Sequence, residues 1–116
     1  MGIAKKNRIK KDIDFKRIID THRSFANKYF VIYVNKSKSP LEHWKIGISV
    51  SKKVGKAHER VWIKRRVRES FYNISDSLER NLEFIVIARP IVNGKKQTEI
   101  QKQIKHVLKI AGVINE

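Results

Sequence analysis

Regular apolar spacing predicts most of the elements in this chain. Phe15, Ile18 and Ile19 share one helical face, and the short carboxylate of Asp12 suits an N-cap, which predicts a short helix over about 12–20. Phe30, Ile32 and Val34 then alternate with Val31, Tyr33 and Asn35 in a stretch rich in β-branched and aromatic residues, the pattern of a strand. Residues 35–41 are polar and end near Pro40, which cannot continue a central ladder, so they predict a loop that joins two strands of a hairpin. In the second strand, over about 44–51, Ile46, Ile48 and Val50 point one way as core. Lys45, Gly47, Ser49 and Ser51 point the other way and form a small, polar face.

After Gly55, residues 57–73 place Ile63, Val67, Phe71 and Ile74 at spacings of four, four and three, one stripe of an α-helix. A continuous apolar strand follows over 84–88, bounded by Pro90. A last helix over 98–111 buries Ile100, Ile104, Val107, Leu108 and Ala111, and Gly112 fits its stop. The order is helix, two or three strands, helix, strand, helix, without internal repeats, which defines an α+β sandwich with helices packed on one sheet. At 116 residues the chain suits one domain, 1–116, with residues 1–11 as a basic, flexible N-terminal segment.

Charge changes this picture from a fold to a partner. Twenty-seven Lys and Arg against eleven Asp and Glu leave a formal charge of +16, which repels itself in the compact state until a polyanion neutralises it. Nucleic acid is favoured over a membrane: phosphates release counterions when Lys and Arg replace them, and no apolar run approaches the roughly 20 residues of a spanning helix. The chain has no cysteine, which excludes a disulfide framework, a disulfide-linked partner and a Cys-based zinc site. The basic start lacks a hydrophobic signal core, so the cytoplasm is the expected location.

The charge is densest between Lys52 and Glu69, where eight cations face two carboxylates in eighteen residues. At about 100° per residue, Lys64, Arg65, Arg66 and Arg68 spread over the side opposite or flanking the apolar stripe, with Arg60 at its margin. Such a surface faces phosphate well, since the planar fork of Arg grips two oxygens or a base edge while Lys acts as a mobile point charge. A solvated basic helix without a specific partner has the same composition.

The spacing of these residues is more specific than their charge. Gly47-Ile-Ser-Val-Ser-Lys-Lys-Val-Gly55, followed by Arg60, Lys64-Arg65 and Arg68-Glu69, resembles the signature of the bacterial ribonuclease P protein family. The resemblance extends through Arg8-Ile-Lys-Lys11, Asp14-Phe15, Ser24, Ala26-Asn27, Phe30-Val31, Ile85-Val-Ile-Ala-Arg89 and His106-Val-Leu-Lys109, nearly the whole chain. It implies an α-β-β-β-α-β-α two-layer sandwich with a left-handed β-α-β crossover, similar to a domain of a ribosomal protein. It also implies an accessory subunit: the RNA subunit cleaves the 5′ leader from precursor tRNA, magnesium ions act there mainly through RNA, and the protein itself binds no cofactor. By position, the family's RNA-subunit contacts pass to Arg60, Lys64, Arg65 and Arg68, with Lys52, Lys53 and Lys56 as neighbours. The family's leader cleft passes to Phe15 and Tyr33 as stacking rings, to Gly47, Ser49 and Ser51 as small residues that admit a backbone, and to Arg8, Lys11 and Arg89 as phosphate holders. Stacking tolerates any base, at roughly 1–3 kcal/mol each.

Three positions depart from the family pattern. Val61 stands where Asn is usual, which removes a polar contact, and Trp62 follows it on the basic side of the helix. That ring either stacks on a nucleotide, covers a Lys stem, or stands exposed without consequence. His22 occupies a turn often given to Gly, so a left-handed backbone is expected there. Ile19 replaces a common aromatic and narrows the stacking platform. Two rival functions remain. A self-sufficient protein nuclease finds no support in His22, His43, His58 and His106, which lack metal-ligand spacing. A ribosomal or general RNA-binding protein would carry the same charge and differs only in motif spacing.

Overall fold

The computed structural model describes residues 7–38, 41 and 43–115. Its elements run α1 (Asp12–Ile19), β1 (Ser24–Ala26), β2 (Phe30–Lys36), β3 (Lys45–Ser49), α2 (Ala57–Asn73), β4 (Leu82–Ala88) and α3 (Gln97–Ile110). This is the expected α-β-β-β-α-β-α order. Pro40, expected to close the loop after β2, and residues 1–6 of the basic start lie outside the described residues.

The four strands form one sheet in the order β1-β2-β4-β3. β2 runs antiparallel to both β1 and β4, whereas β3 runs parallel to β4. The expected hairpin between β2 and β3 is therefore absent, because β4 inserts between them. The physical reason lies in their side chains. β4 reads Leu-Glu-Phe-Ile-Val-Ile-Ala and is buried on both faces except at Ile87, which is only partly covered. A doubly buried strand belongs in the middle of a sheet.

β3, α2 and β4 form a crossover whose hand follows from one hydrogen bond. Ile46 turns its side chain into the core shared with α2 and sends its carbonyl outward to the Ile9 N–H at 2.8 Å, away from β4. For an L-residue on a strand running upward, seen from the α2 side, that carbonyl points right. β4 then lies to the left and the crossover is left-handed, the rare hand for a β-α-β connection.

The principal layers are the sheet and the α2/α3 pair. Ile63, Val67 and Phe71 of α2, with Ile104, Val107 and Leu108 of α3, are fully buried against Phe30, Ile32, Phe84 and Val86 of the sheet. α3 stops in a Schellman turn: Gly112, at φ 76, donates its N–H to Lys109 and Val113 donates to Leu108.

α1 lies on the opposite face of the sheet and covers part of it. Ile18 seats on Ile85 together with Ile9, and Phe15, Ile19, Tyr33 and Ile87 pack around them half-buried. Lys11, not Asp12, occupies the N-cap, without a side-chain cap bond. Asp12 and Asp14 sit in the first turn, where carboxylates favour the positive helix end. Arg17 then ties α1 to β4 through two 2.9 Å hydrogen bonds to the Glu83 carboxylate, which also accepts from Asn35 Nδ2 at 2.9 Å. Residues 7–9 of the segment leading into α1 lie against the β3 edge. Arg8 bridges to Ile46 in parallel fashion, Ile9 is buried, and Asn7 Nδ2 donates to the Trp44 carbonyl. The turn after α1 puts His22 at φ 59, the left-handed backbone expected for a position favouring glycine.

Candidate nucleic-acid interface

The basic motif begins with a turn that starts α2. Val54 is buried and donates its N–H to the Ser51 carbonyl at 3.0 Å. The Glu59 carboxylate reaches back to accept the Lys56 N–H at 2.8 Å, half of a capping box. That bond, with a second from Asn93, holds the Glu59 carboxyl below its ordinary range. Gly55 makes room for this arrangement, since a Cβ there would lie 2.8 Å from both Glu59 Oε1 and Asn93 Nδ2. Val54 and Gly55 thus have structural roles, and Lys52, Lys53 and Lys56 stand exposed around them.

Along α2 the cations divide by direction. Arg65 is exposed, Arg60 lies half-buried near the apolar stripe, and the Arg66 guanidinium sits 5.4 Å from the Trp62 ring centroid. Lys64 and Arg68 turn toward the docked N-terminal segment. Among the described residues no ion pair neutralises any cation of this helix. Arg68 shows the consequence: partial burial, and then the charges of Arg8 and Arg65, press its pKa below the ordinary value. A guanidinium keeps its proton under such pressure, so an anion bound beside it would be favoured.

Lys64 and Arg68 open onto a cleft of about 510 Å³, with Arg8, Phe15, Ser49 and Ile48 among its other lining residues. Asp12 is its one carboxylate. Two groups that the sequence assigned to separate surfaces meet here: the flank of the basic helix, and the ring and serine of the presumed leader face. Their meeting depends on the crossover, which brings α2 to the β3 edge beside α1.

The other expected residues lie around this cleft. Lys11 lines an adjoining hollow with Arg8, Arg17 and Lys45. Tyr33 lies half-buried in mid-sheet, in register with Ile85 and Gly47, and Arg89 is exposed just past β4. Ser51 is exposed but not part of the cleft lining. Gly47 takes a different role from the one expected. Instead of admitting a nucleic-acid backbone, it is buried beneath Phe15, whose Cζ would lie 2.5 Å from a Cβ at this position. The glycine seats the ring.

Sequence reasoning missed the Arg17–Glu83 pair that holds α1 on the sheet. Its signal was a single carboxylate inside the apolar run of β4, where a charge needs a partner. Among the described residues no group of three or more His, Asp or Glu side chains converges as a metal site, and no helix is long and apolar enough to cross a membrane.

Fold and cleft together define a small α+β domain built to meet a polyanion. The family model described as ribonuclease P matches residues 3–112. A ribonuclease P protein component from Oenococcus oeni is 54% identical, aligning 99% of this chain with 96% of its own length. The ribonuclease P protein of Staphylococcus aureus superimposes with a TM-score of 0.85 at 43% identity, covering 94% of this chain and 98% of that one. The Thermotoga maritima protein superimposes at 0.78 with 27% identity, covering 89% and 96%. The chain belongs to the ribonuclease P protein family, whose members are protein components of a tRNA-processing ribonucleoprotein.

Proposed function

We propose that this protein is the accessory subunit of a cytoplasmic ribonuclease P, in which the RNA subunit and its magnesium ions cleave the 5′ leader from precursor tRNA. The chain contributes binding and positioning. Its outward basic helix, through Arg65, Arg60 and the exposed Lys52, Lys53 and Lys56, grips the RNA subunit. The cleft of Phe15, Ser49 and Arg8 holds the single-stranded leader. Lys64 and Arg68, on the shared wall, face both RNAs.

The observation that carries this reading is the cleft itself, where the Phe15 ring, Ser49 and the aliphatic side chains of β3 adjoin Lys64 and Arg68, which form no ion pair among the described residues. Stacking supplies affinity without sequence preference, and the cations supply phosphate contacts.

Reconstitution with a bacterial ribonuclease P RNA at low magnesium tests it. The protein should restore leader removal, Arg65→Ala should weaken binding to the RNA subunit, and Phe15→Ala should mainly reduce the preference for precursor over mature tRNA. Equal losses in both assays would sink the division of surfaces. Failure to restore cleavage, with equal affinity for unrelated RNA, would favour a general RNA-binding protein. Cleavage by the protein alone would move the chemistry into this chain.

A further inference from the structure

Trp62 is a large ring among the cations of α2, and 41% of it is exposed. Counted at 100° per residue, it stands about 200° around α2 from Lys64, as Arg66 does from Arg68. These two residues therefore occupy the flank turned away from the cleft. On this flank α2 joins α3: Gln97 Nε2 donates to the Arg66 carbonyl at 3.1 Å and to Ser70 Oγ at 2.8 Å, and Asn73 Nδ2 donates to Gln101 Oε1 at 2.8 Å.

These bonds join α2 to α3 from one turn beyond the ring onward. The Arg66 guanidinium, 5.4 Å from its centroid, fixes the ring itself by cation–π attraction. Arg66 has no ion-paired carboxylate among the described residues, so its charge remains available to a phosphate. A partly exposed indole with an unpaired guanidinium over it offers stacking and charge to one nucleotide. The neighbouring groove of about 820 Å³, lined by Lys102, Lys105 and Lys109 of α3, continues the cationic surface.

We propose that Trp62, held by Arg66, is a stacking site for an unpaired nucleobase, on the opposite flank of α2 from the cleft. The inference rests on the ribonuclease P reading above. The nucleotide could come from the RNA subunit or from the leader of the precursor; the position of the ring, on the far flank from Phe15, points to the RNA subunit.

The test uses the full chain and its two tryptophans. Trp44 is buried at 6% exposure, so emission quenched by a solvent-side ligand reports Trp62. Titration with the RNA subunit should quench this emission, whereas titration with a single-stranded leader oligonucleotide should leave it nearly unchanged. Trp62→Leu should weaken RNA-subunit binding about five- to hundredfold, with Trp62→Phe recovering most of it. The slope of affinity against salt should stay the same, because no phosphate contact is removed. Quenching by the leader alone would assign the site to the substrate and overturn the stated source. Wild-type binding that survives Trp62→Leu within twofold, without quenching, would overturn the stacking site. If the wild-type chain bound neither RNA, the parent reading itself would fail.

Discussion

Gly47→Ala tests whether the Phe15 ring is positioned by the strand beneath it. The added methyl would lie 2.5 Å from Phe15 Cζ, 2.8 Å from Cε1 and 2.9 Å from Ile85 Cδ1. Carbon atoms in good contact stand about 3.5–4.0 Å apart, so roughly an ångström must be recovered on both sides. Ile85 is fully buried in the central strand and has little room to retreat. The half-exposed ring moves instead, or α1 lifts with it. Overpacking of this kind costs about 1–3 kcal/mol, which urea unfolding would register as a lower midpoint at unchanged slope. A functional change should accompany it. Phe15 forms a wall of the cleft, so its displacement should lower the preference for precursor over mature tRNA while leaving affinity for the RNA subunit and its salt dependence intact. Gly47→Ala with wild-type stability and wild-type preference would refute both the packing argument and the role assigned to the ring.

Two further predictions follow from the other contacts. Glu83 is held below its ordinary pKa chiefly by the hydrogen bonds of Arg17. A depressed carboxylate stabilises the fold above its unfolded pKa and loses that contribution as pH falls through the folded value. Glu83→Gln should therefore cost about 1–2 kcal/mol at pH 7, discounted because Arg17 is half-exposed, and the gap should close as the solution is acidified below the ordinary carboxylate range; urea titrations at several pH values measure it. His22, at φ 59, bears the steric cost of a side chain in the left-handed region. His22→Gly should be neutral to stabilising by up to about 1 kcal/mol, and His22→Val should destabilise, both read from thermal midpoints.

Much of this molecule was legible in the chain because its signals are local. The stripe of Ile63, Val67, Phe71 and Ile74 specifies α2, the alternation of Phe30, Ile32 and Val34 specifies β2, and the spacing of Arg60, Lys64-Arg65 and Arg68 specifies the family. Periodicity and spacing are properties of neighbouring residues, so they survive without coordinates. What the sequence could not supply was which strands pair. Residues 35–41 looked like a hairpin loop, yet β4 lies between β2 and β3, because burial on both faces is a demand that only the assembled sheet can meet. That pairing places α2 at the β3 edge and makes one cleft from Arg8, Phe15, Ser49, Lys64 and Arg68. It also turns Gly47 from a residue that admits RNA into one that seats a ring, and it gives Glu83 its partner 66 residues away. The chain by itself pointed to a polyanion as the partner and to α2 as the element that concentrates the charge. Tertiary structure decided which side chains share a surface, since that depends on strand order and crossover hand, and neither is encoded within any single element.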